Sequence, residues 1–284
     1  MANPLLSLAS AAARWLPAGL KRGLYRLGPV SRGLRNALNK SAPAGLPETK
    51  VAAGLLAGAS LLLDLQTEKD YWLGTYEMDL QRAIRDWVKP GMVAYDLGAN
   101  VGYLSLMLAK QAGAAGKVFA FEPLPANQER LRANLALNPQ LRVVLVPKAV
   151  AYKSGSHTFQ VHASDDMGKL QGSAGRTAQY AGHIQVDTIV LDDFVYLERN
   201  PLPDVIKMDI EGGEALALNG MKRLLVEARP ILFIETHGPE SARAVWAALR
   251  QANYRMHRVG KGYPEISNVE SIGWKSYILG KPVV

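Results

Sequence analysis

The sequence predicts an α/β fold: a mostly parallel sheet with helices on both faces, preceded by a basic helical extension. Three observations predict it. From Leu80 onward, short runs of Val, Ile, Leu and Phe alternate with longer helix-patterned stretches, the βα repeat that builds parallel sheets. A glycine loop joins the first of these runs to its helix. Two late segments, Tyr254 to Val259 and Lys275 to Leu279, fit a closing antiparallel pair.

The elements follow in chain order. A helix from about Met78 to Val88 stops at Pro90-Gly91. The first sheet strand is Met92 to Asp96, followed by a helix from Tyr103 to Ala112. The second is Lys117 to Phe121, with a helix from Pro125 that carries Leu131 and Leu135 on one face. The third is Val143 to Pro147. Residues 153–190, richer in Gly, Ser, Thr and His, contain alternating stretches that read as an inserted hairpin. The fourth strand is Val205 to Asp209, with a helix from Gly213 to Leu225. The fifth is Ile231 to Thr236, with a helix from Glu240 to Ala252. With the closing pair these make seven strands. Ahead of them, the apolar run Val51 to Leu63 predicts two short strands around Gly58 covering the domain edge. At 13 residues it is well short of the roughly 20 needed to cross a bilayer. The chain therefore divides into residues 1–47, a strand and lid segment at 48–77, and a main domain at 78–284.

The net charge of +8 is localised. No acidic residue precedes Glu48, while Arg14, Lys21, Arg22, Arg26, Arg32, Arg35 and Lys40 account for nearly all of the excess. The rest is close to neutral, which argues against a basic nucleic-acid cleft in the domain. Apolar residues alternate with these cations in residues 1–47. The zone has the make-up of a transit peptide, of an amphipathic anchor at a membrane surface, or of a segment that packs on the domain or stays disordered. The charges follow the apolar stretch, unlike those of a secretory signal. The chain has no cysteine, which excludes disulfides, thiol catalysis and cysteine-bound zinc and fits a reducing compartment. The expected location is cytoplasmic, with the inner face of a membrane as the site of any contact through residues 1–47.

Tyr95-Asp-Leu-Gly-Ala-Asn-Val-Gly-Tyr103 lies at a strand-to-helix turn, where Gly98 and Gly102 let the backbone approach a ligand. Asp96 ends the strand just before the loop. A carboxylate there would repel the pyrophosphate of a dinucleotide but favour a ligand bearing an ammonium and a sulfonium. Glu122 ends the second strand, 20 residues after Gly102, where an acidic residue accepts hydrogen bonds from a ribose. Read separately, Asp96 would cap a helix and Glu122 would be solvated; their shared register with two strand ends favours the ligand reading.

These stretches, with Phe121-Glu-Pro-Leu-Pro-Ala-Asn127 and Val205-Ile-Lys-Met-Asp-Ile-Glu-Gly-Gly-Glu214, resemble the FkbM family of S-adenosylmethionine-dependent methyltransferases over about Tyr71 to His257. The Lys-Met-Asp-Ile-Glu-Gly-Gly-Glu segment is the more particular to that family. The resemblance implies a class I methyltransferase (Rossmann-like) fold, S-adenosylmethionine as cofactor, S-adenosylhomocysteine as product, and methylation of a hydroxyl oxygen on a sugar, glycolipid, polyketide or similar metabolite. It implies that Asp96, Gly98, Asn100 and Gly102 form the methionine-side loop and that Glu122 holds the ribose. Pro123 and Asn127 would shape the adenosine pocket, with Ala149 and Val150 near the adenine.

Methyl transfer to oxygen needs alignment and removal of the hydroxyl proton. Alignment contributes about 7–11 kcal/mol and base catalysis a further roughly 10²–10⁴-fold. Both draw on residues at the carboxyl ends of the central strands. The fourth ends at Asp209, with Glu211 and Glu214 in its loop; the fifth ends at Glu235 and His237. Neighbouring strands lie about 4.8 Å apart, so these groups can converge. Asp209 is the expected contact to the acceptor or to the methionine part of the cofactor. His237 or Glu235 is the candidate base, and Lys207 neutralises a carboxylate or orients substrate. The plain alternatives are an ion-paired Lys207, a Glu214 that favours the helix start, and a structural His237. No metal site is assigned, since the ligand spacing is not decisive; a divalent metal on Asp209, Glu211, Glu235 and His237 is the competing reading. Tyr71, Trp72, Tyr76 and Glu77 are candidates for a lid, and residues 153–182 for the acceptor pocket. His157, His162 and His183 are too widely spaced for a metal site.

The acceptor is expected to be a small or lipid-linked molecule, and the oligomeric state is not legible. The other readings are an RNA or protein methyltransferase with residues 1–47 as its binding arm, a non-catalytic cofactor-binding protein, and a nicotinamide oxidoreductase, which Asp96 disfavours.

Overall fold

Seven strands form one sheet in the computed structural model, which describes residues 42–162, 168–174 and 180–283 together with Leu8, Ala11, Ala12 and Trp15. Most of the basic extension lies outside the described residues. Two short strands, β1 (Glu48–Lys50) and β2 (Ser60–Leu62), come first, then helices α1 (Lys69–Leu73) and α2 (Met78–Trp87). The βα repeat follows: β3 (Val93–Leu97), α3 (Tyr103–Ala112), β4 (Lys117–Phe121), α4 (Pro125–Ala136) and β5 (Val143–Val146). A second sheet holds β6 (Ala149–Val150), β7 (Gly155–His162), β8 (Gly168–Leu170) and β9 (Tyr180–Ile189). The main sheet resumes after α5 (Leu191–Tyr196) with β10 (Val205–Met208), α6 (Glu214–Asn219), α7 (Lys222–Glu227), β11 (Ile231–His237), α8 (Pro239–Gln251), β12 (Tyr254–Arg258) and β13 (Lys275–Pro282).

The strand order is β12-β13-β11-β10-β3-β4-β5. Only β13 runs against the others, paired antiparallel with both β11 and β12. The chain winds outward from β3 through β4 to β5, then crosses back to lay β10 on the other flank of β3. That reversal leaves a crevice at the carboxyl ends of β3 and β10, where open α/β sheets bind ligands. All four β10 residues are buried, as expected of a strand covered on both faces. Alternate residues feed two cores: Tyr95, Leu97, Phe119 and Phe121 pack on one side with Phe194 and Val245, and Ala94, Val118, Val205 and Phe233 on the other with α3. Helix α3, squeezed between the sheet and the N-terminal segment, is buried on most of its circumference.

The class I methyltransferase architecture is therefore present, with the expected closing antiparallel strand. Two local expectations need correction and a third is met with additions. The strands around Gly58 exist, but Val51 to Ala59 forms the turn between them, and they pair with each other in a separate sheet. They sit over α4, where Asn134 Oδ1 accepts from the Leu62 amide (2.7 Å). The helix expected from Gly213 to Leu225 is broken in two, because Gly220 packs so closely that a Cβ on it would lie 2.1 Å from the Ala151 carbonyl oxygen. The inserted hairpin is there as β7 and β9, extended by β8 and tied back by the parallel pairing of β9 with β6.

Asn134 is fully buried and also donates to the Val101 carbonyl oxygen (2.8 Å), so one side chain fastens the N-terminal hairpin to the glycine loop. Replacing it with alanine leaves a buried donor and a buried acceptor unpaired. Asn134→Ala should lose about 2–4 kcal/mol of unfolding free energy in urea titrations.

Candidate active site

Strand register assembles the polar face of the crevice. Lys207 of β10 is the partner of Asp96 on β3 and of Phe233 on β11; Glu235 is the partner of Tyr277, and His237 of Lys275. Side chains share a face at every second residue, so Lys207, Glu235, His237 and Tyr277 fall on the side of the sheet covered by α3.

Asp96 is fully buried. Its Oδ1 lies 3.0 Å from Lys207 Nζ, and its Oδ2 accepts from Ser105 Oγ at 2.6 Å. Burial would pull the Lys207 ammonium below its usual range, but Asp96 and Asp209 outweigh this and hold it higher. Lys207 Nζ also donates to the Gly98 carbonyl oxygen (2.9 Å), pinning the loop. This refines the sequence expectation. Asp96 does not line the cavity: its charge is answered by Lys207 beneath the loop, and it holds the loop from below.

The loop is a tight cradle. Gly98 has φ 79°, and a Cβ there would fall 2.0 Å from the Asp209 carbonyl oxygen; at Gly102, φ 89°, it would meet Leu131 Cδ1 at 2.2 Å. Asn100 adopts a left-handed φ of 49° and donates its amide to Glu122 Oε2 (2.8 Å). Glu122 Oε1 accepts from the Leu124 amide (2.9 Å) and from Asn127 Nδ2 (3.3 Å). Burial pushes the Glu122 carboxyl upward, against these hydrogen bonds. The carboxylate is thus aimed at the cavity by its neighbours.

One cavity runs along this crevice. Its wall includes Gly98, Asn100, Glu122, Pro123, Asn127, Ala149, Val150, Lys207, Asp209 and Glu211, as well as Tyr71 and Tyr76. Tyr71 stacks on Tyr103 (ring centroids 4.4 Å apart) and meets Tyr76 edge-on, so the segment before α2 does form part of the enclosure. Trp72 instead packs in the core, and Glu77 sits at the start of α2 with φ 47°. Gly102, Glu235 and His237 lie behind the wall. Phe159, Gly168 and Leu170 come from the segment 153–182 that the sequence offered for the pocket without naming residues, whereas Tyr103, Lys148 and Lys275 were not singled out for the site at all. Only the alternation of apolar residues in β7 signals that Phe159 faces inward.

The cradle fits the expected cofactor. A buried carboxylate faces the cavity, Ala149, Val150, Phe159 and Leu170 supply an apolar bed for a purine, and the Tyr103 hydroxyl is buried without a hydrogen-bond partner in the described structure.

Beside this cradle, acidic groups gather around His237. Its Nδ1 is 2.9 Å from Glu214 Oε1, while Nε2 is 3.5 Å from Asp209 Oδ1, 3.7 Å from Glu211 Oε2 and 3.5 Å from Glu235 Oε2. Glu214 is fully buried and also accepts from Ser241 Oγ (2.8 Å) and the Gly212 amide (3.1 Å). Asp209 Oδ2 accepts from Tyr277 Oη (3.3 Å). Burial alone would lower the imidazole, but its hydrogen bond with Glu214 and the neighbouring carboxylates of Glu235 and Asp209 push it up to about 10. Burial pushes Glu235 up to about 7, against the pull of the neighbouring His237. Between the two candidate bases, Glu235 is the group able to take a proton near neutral pH. Glu211 holds a left-handed φ of 53°, a conformation costly for a side chain with a Cβ.

Several known proteins are similar to this chain. A family model described as the methyltransferase FkbM domain matches residues 96–256. The hexuronic acid methyltransferase AglP of Haloferax volcanii is 26% identical over 176 residues, covering 62% of this chain and 69% of that protein. The 2-O-methyltransferase NoeI of Sinorhizobium fredii is 28% identical over 153 residues, covering 50% of this chain and 62% of that protein, less than two thirds of its length. Among solved structures, a methyltransferase FkbM from Methylobacillus flagellatus KT aligns with a TM-score of 0.44 at 18% identity, covering 78% of this chain and 56% of that one.

The Asp96–Lys207 contact has a measurable signature. Lys207→Met leaves a buried carboxylate without its counter-charge and should cost about 3–5 kcal/mol in urea unfolding. Adding Asp96→Asn to that variant should restore part of the loss.

Proposed function

This chain belongs to the FkbM methyltransferase family, and on that premise we propose that it methylates a hydroxyl oxygen of a sugar-type acceptor. Its cofactor is S-adenosylmethionine, whose sulfonium supplies an electrophilic methyl group. The observation that carries the acceptor reading is the gathering of Asp209, Glu211, Glu235 and His237 at the carboxyl ends of β10 and β11, with Asp209 and Glu211 in the cavity wall. A hydroxyl must lose its proton as it is methylated, and a carboxylate at that wall is placed to receive it. The names of AglP, a hexuronic acid methyltransferase, and NoeI, a 2-O-methyltransferase, support respectively a sugar acid as acceptor and oxygen as the methylated atom.

The roles divide by position. Glu122, held by the Asn100 and Leu124 amides, accepts the ribose hydroxyls. The Gly98 loop takes the amino-acid end, and Ala149, Val150, Phe159 and Leu170 enclose the base. Asp209 accepts the hydrogen bond of the acceptor hydroxyl. Glu235, directly behind Asp209, takes the proton onward, and His237 with Lys275 holds it in place. Tyr71 and Tyr76 cover the cavity and exclude water. Among the described residues no helix is long and apolar enough to cross a membrane.

Two measurements test this reading. Glu122→Gln should weaken S-adenosylhomocysteine binding by about tenfold in calorimetry, since a buried ribose contact is worth roughly 1–2 kcal/mol. Asp209→Asn and Glu235→Gln should lower turnover of hydroxylated sugar acceptors by about 10²–10⁴ while product affinity stays within about threefold. Full turnover in both carboxylate variants would remove the proton-transfer assignment.

A further inference from the structure

His237 presents a buried nitrogen to a ring of acids and makes no hydrogen bond with it. The residue is 3% exposed, and its Nε2 has no hydrogen-bond partner in the described structure. The other nitrogen is fixed: Nδ1 meets Glu214 Oε1 at 2.9 Å, and Glu214 is itself held by Ser241 and the Gly212 amide. A carboxylate on one ring nitrogen, with the opposite nitrogen facing further carboxylates, is the arrangement that orients metal-binding histidines.

The geometry around Nε2 agrees. One ligand atom each from Asp209, Glu211 and His237 lies within 4.8 Å of the others. Nε2 stands 3.5 Å from Asp209 Oδ1 and 3.7 Å from Glu211 Oε2, too far for hydrogen bonds. Adjacent ligands about 2.1–2.4 Å from a shared octahedral ion would be separated by about 3.0–3.4 Å, so small side-chain rotations would close the site. Charge points the same way. Four carboxylates come within 3.7 Å of the imidazole, and Lys275 contacts Glu235, which is not one of the proposed ligands. Asp209 and Glu211 line the cavity, which leaves the remaining coordination positions open to a ligand from that side.

We propose that Asp209, Glu211 and His237 form a binding site for a divalent cation of the magnesium or manganese type, with Glu214 as the positioning residue that orients the imidazole. The two carboxylates, with no thiol, suit these ions, and of the two manganese better accepts a nitrogen ligand. The site opens where the acceptor hydroxyl is placed under Proposed function, so its catalytic meaning rests on that reading. An ion there would bind adjacent hydroxyls of a sugar and orient them.

The test is binding of Mn²⁺ to the full-length chain after chelator treatment, read by loss of the free-ion electron paramagnetic resonance signal, with S-adenosylhomocysteine affinity measured on the same samples. One equivalent of Mn²⁺ should bind per chain. Glu211→Gln and His237→Ala should each weaken it at least tenfold, and Glu214→Gln by roughly 10–100-fold. Glu240→Gln, an exposed acid on α8, should leave it unchanged. Glu211 is partly exposed in a loop, so its variant tests the site without risk to the core. Absence of stoichiometric Mn²⁺ binding, or binding indifferent to both Glu211→Gln and His237→Ala, would overturn the metal site. If S-adenosylhomocysteine still bound, the methyltransferase reading would stand. Loss of product binding with intact Mn²⁺ binding would have the opposite meaning.

Discussion

The ammonium of Lys207 against the carboxylate of Asp96 is the contact on which the rest of the crevice depends. It joins neighbouring parallel strands where the winding of the sheet reverses, and both groups are almost wholly removed from water. Such a pair contributes little net stability, because desolvation offsets most of its attraction. Its value here is positional. The same ammonium reaches the Gly98 carbonyl, so the strand pairing and the loop are set by one nitrogen. With the loop fixed, Asn100 is brought to Glu122, and the Asp209 backbone passes so close to Gly98 that no Cβ fits between them. The cofactor side and the acceptor side are thus parts of one rigid corner.

Much of this was legible in the sequence. Apolar runs and turn residues located β4 and α3, because strands buried on both faces must be continuously apolar and helices must end at glycine or proline. The acids at 122, 209 and 235 were recognisable because each closes such a run. What a linear pattern cannot supply is partnership. Asp96 reads as a ligand contact until the pairing of β3 with β10 places Lys207 beside it, and that pairing is decided by a crossover of more than 100 residues. His237 reads as a free base until α6 brings Glu214 to its other nitrogen. The break at Gly220 was hidden for the same reason: it answers to Ala151, far away in the chain.

The two halves of the site are built differently. On the cofactor side, backbone groups dominate: the Asn100 and Leu124 amides and the curled glycines, which a sequence can preserve with few side chains. On the acceptor side, charged side chains dominate, and Glu211 holds them through a backbone conformation that carries strain. The loop on the cofactor side has the same device at Asn100, whose left-handed backbone turns its amide onto Glu122.

The inserted sheet has its own implication. It leaves the main scaffold after Ala149–Val150 and returns at Thr188–Ile189, the same residues that pair with one another. Entry and exit are therefore a single clasp, and everything between them forms one removable side of the chamber. An insertion hung from one point in this way can change length or sequence without disturbing the strands that carry Asp209 and Glu235, and any such change is felt first at the wall that Phe159 and Leu170 supply.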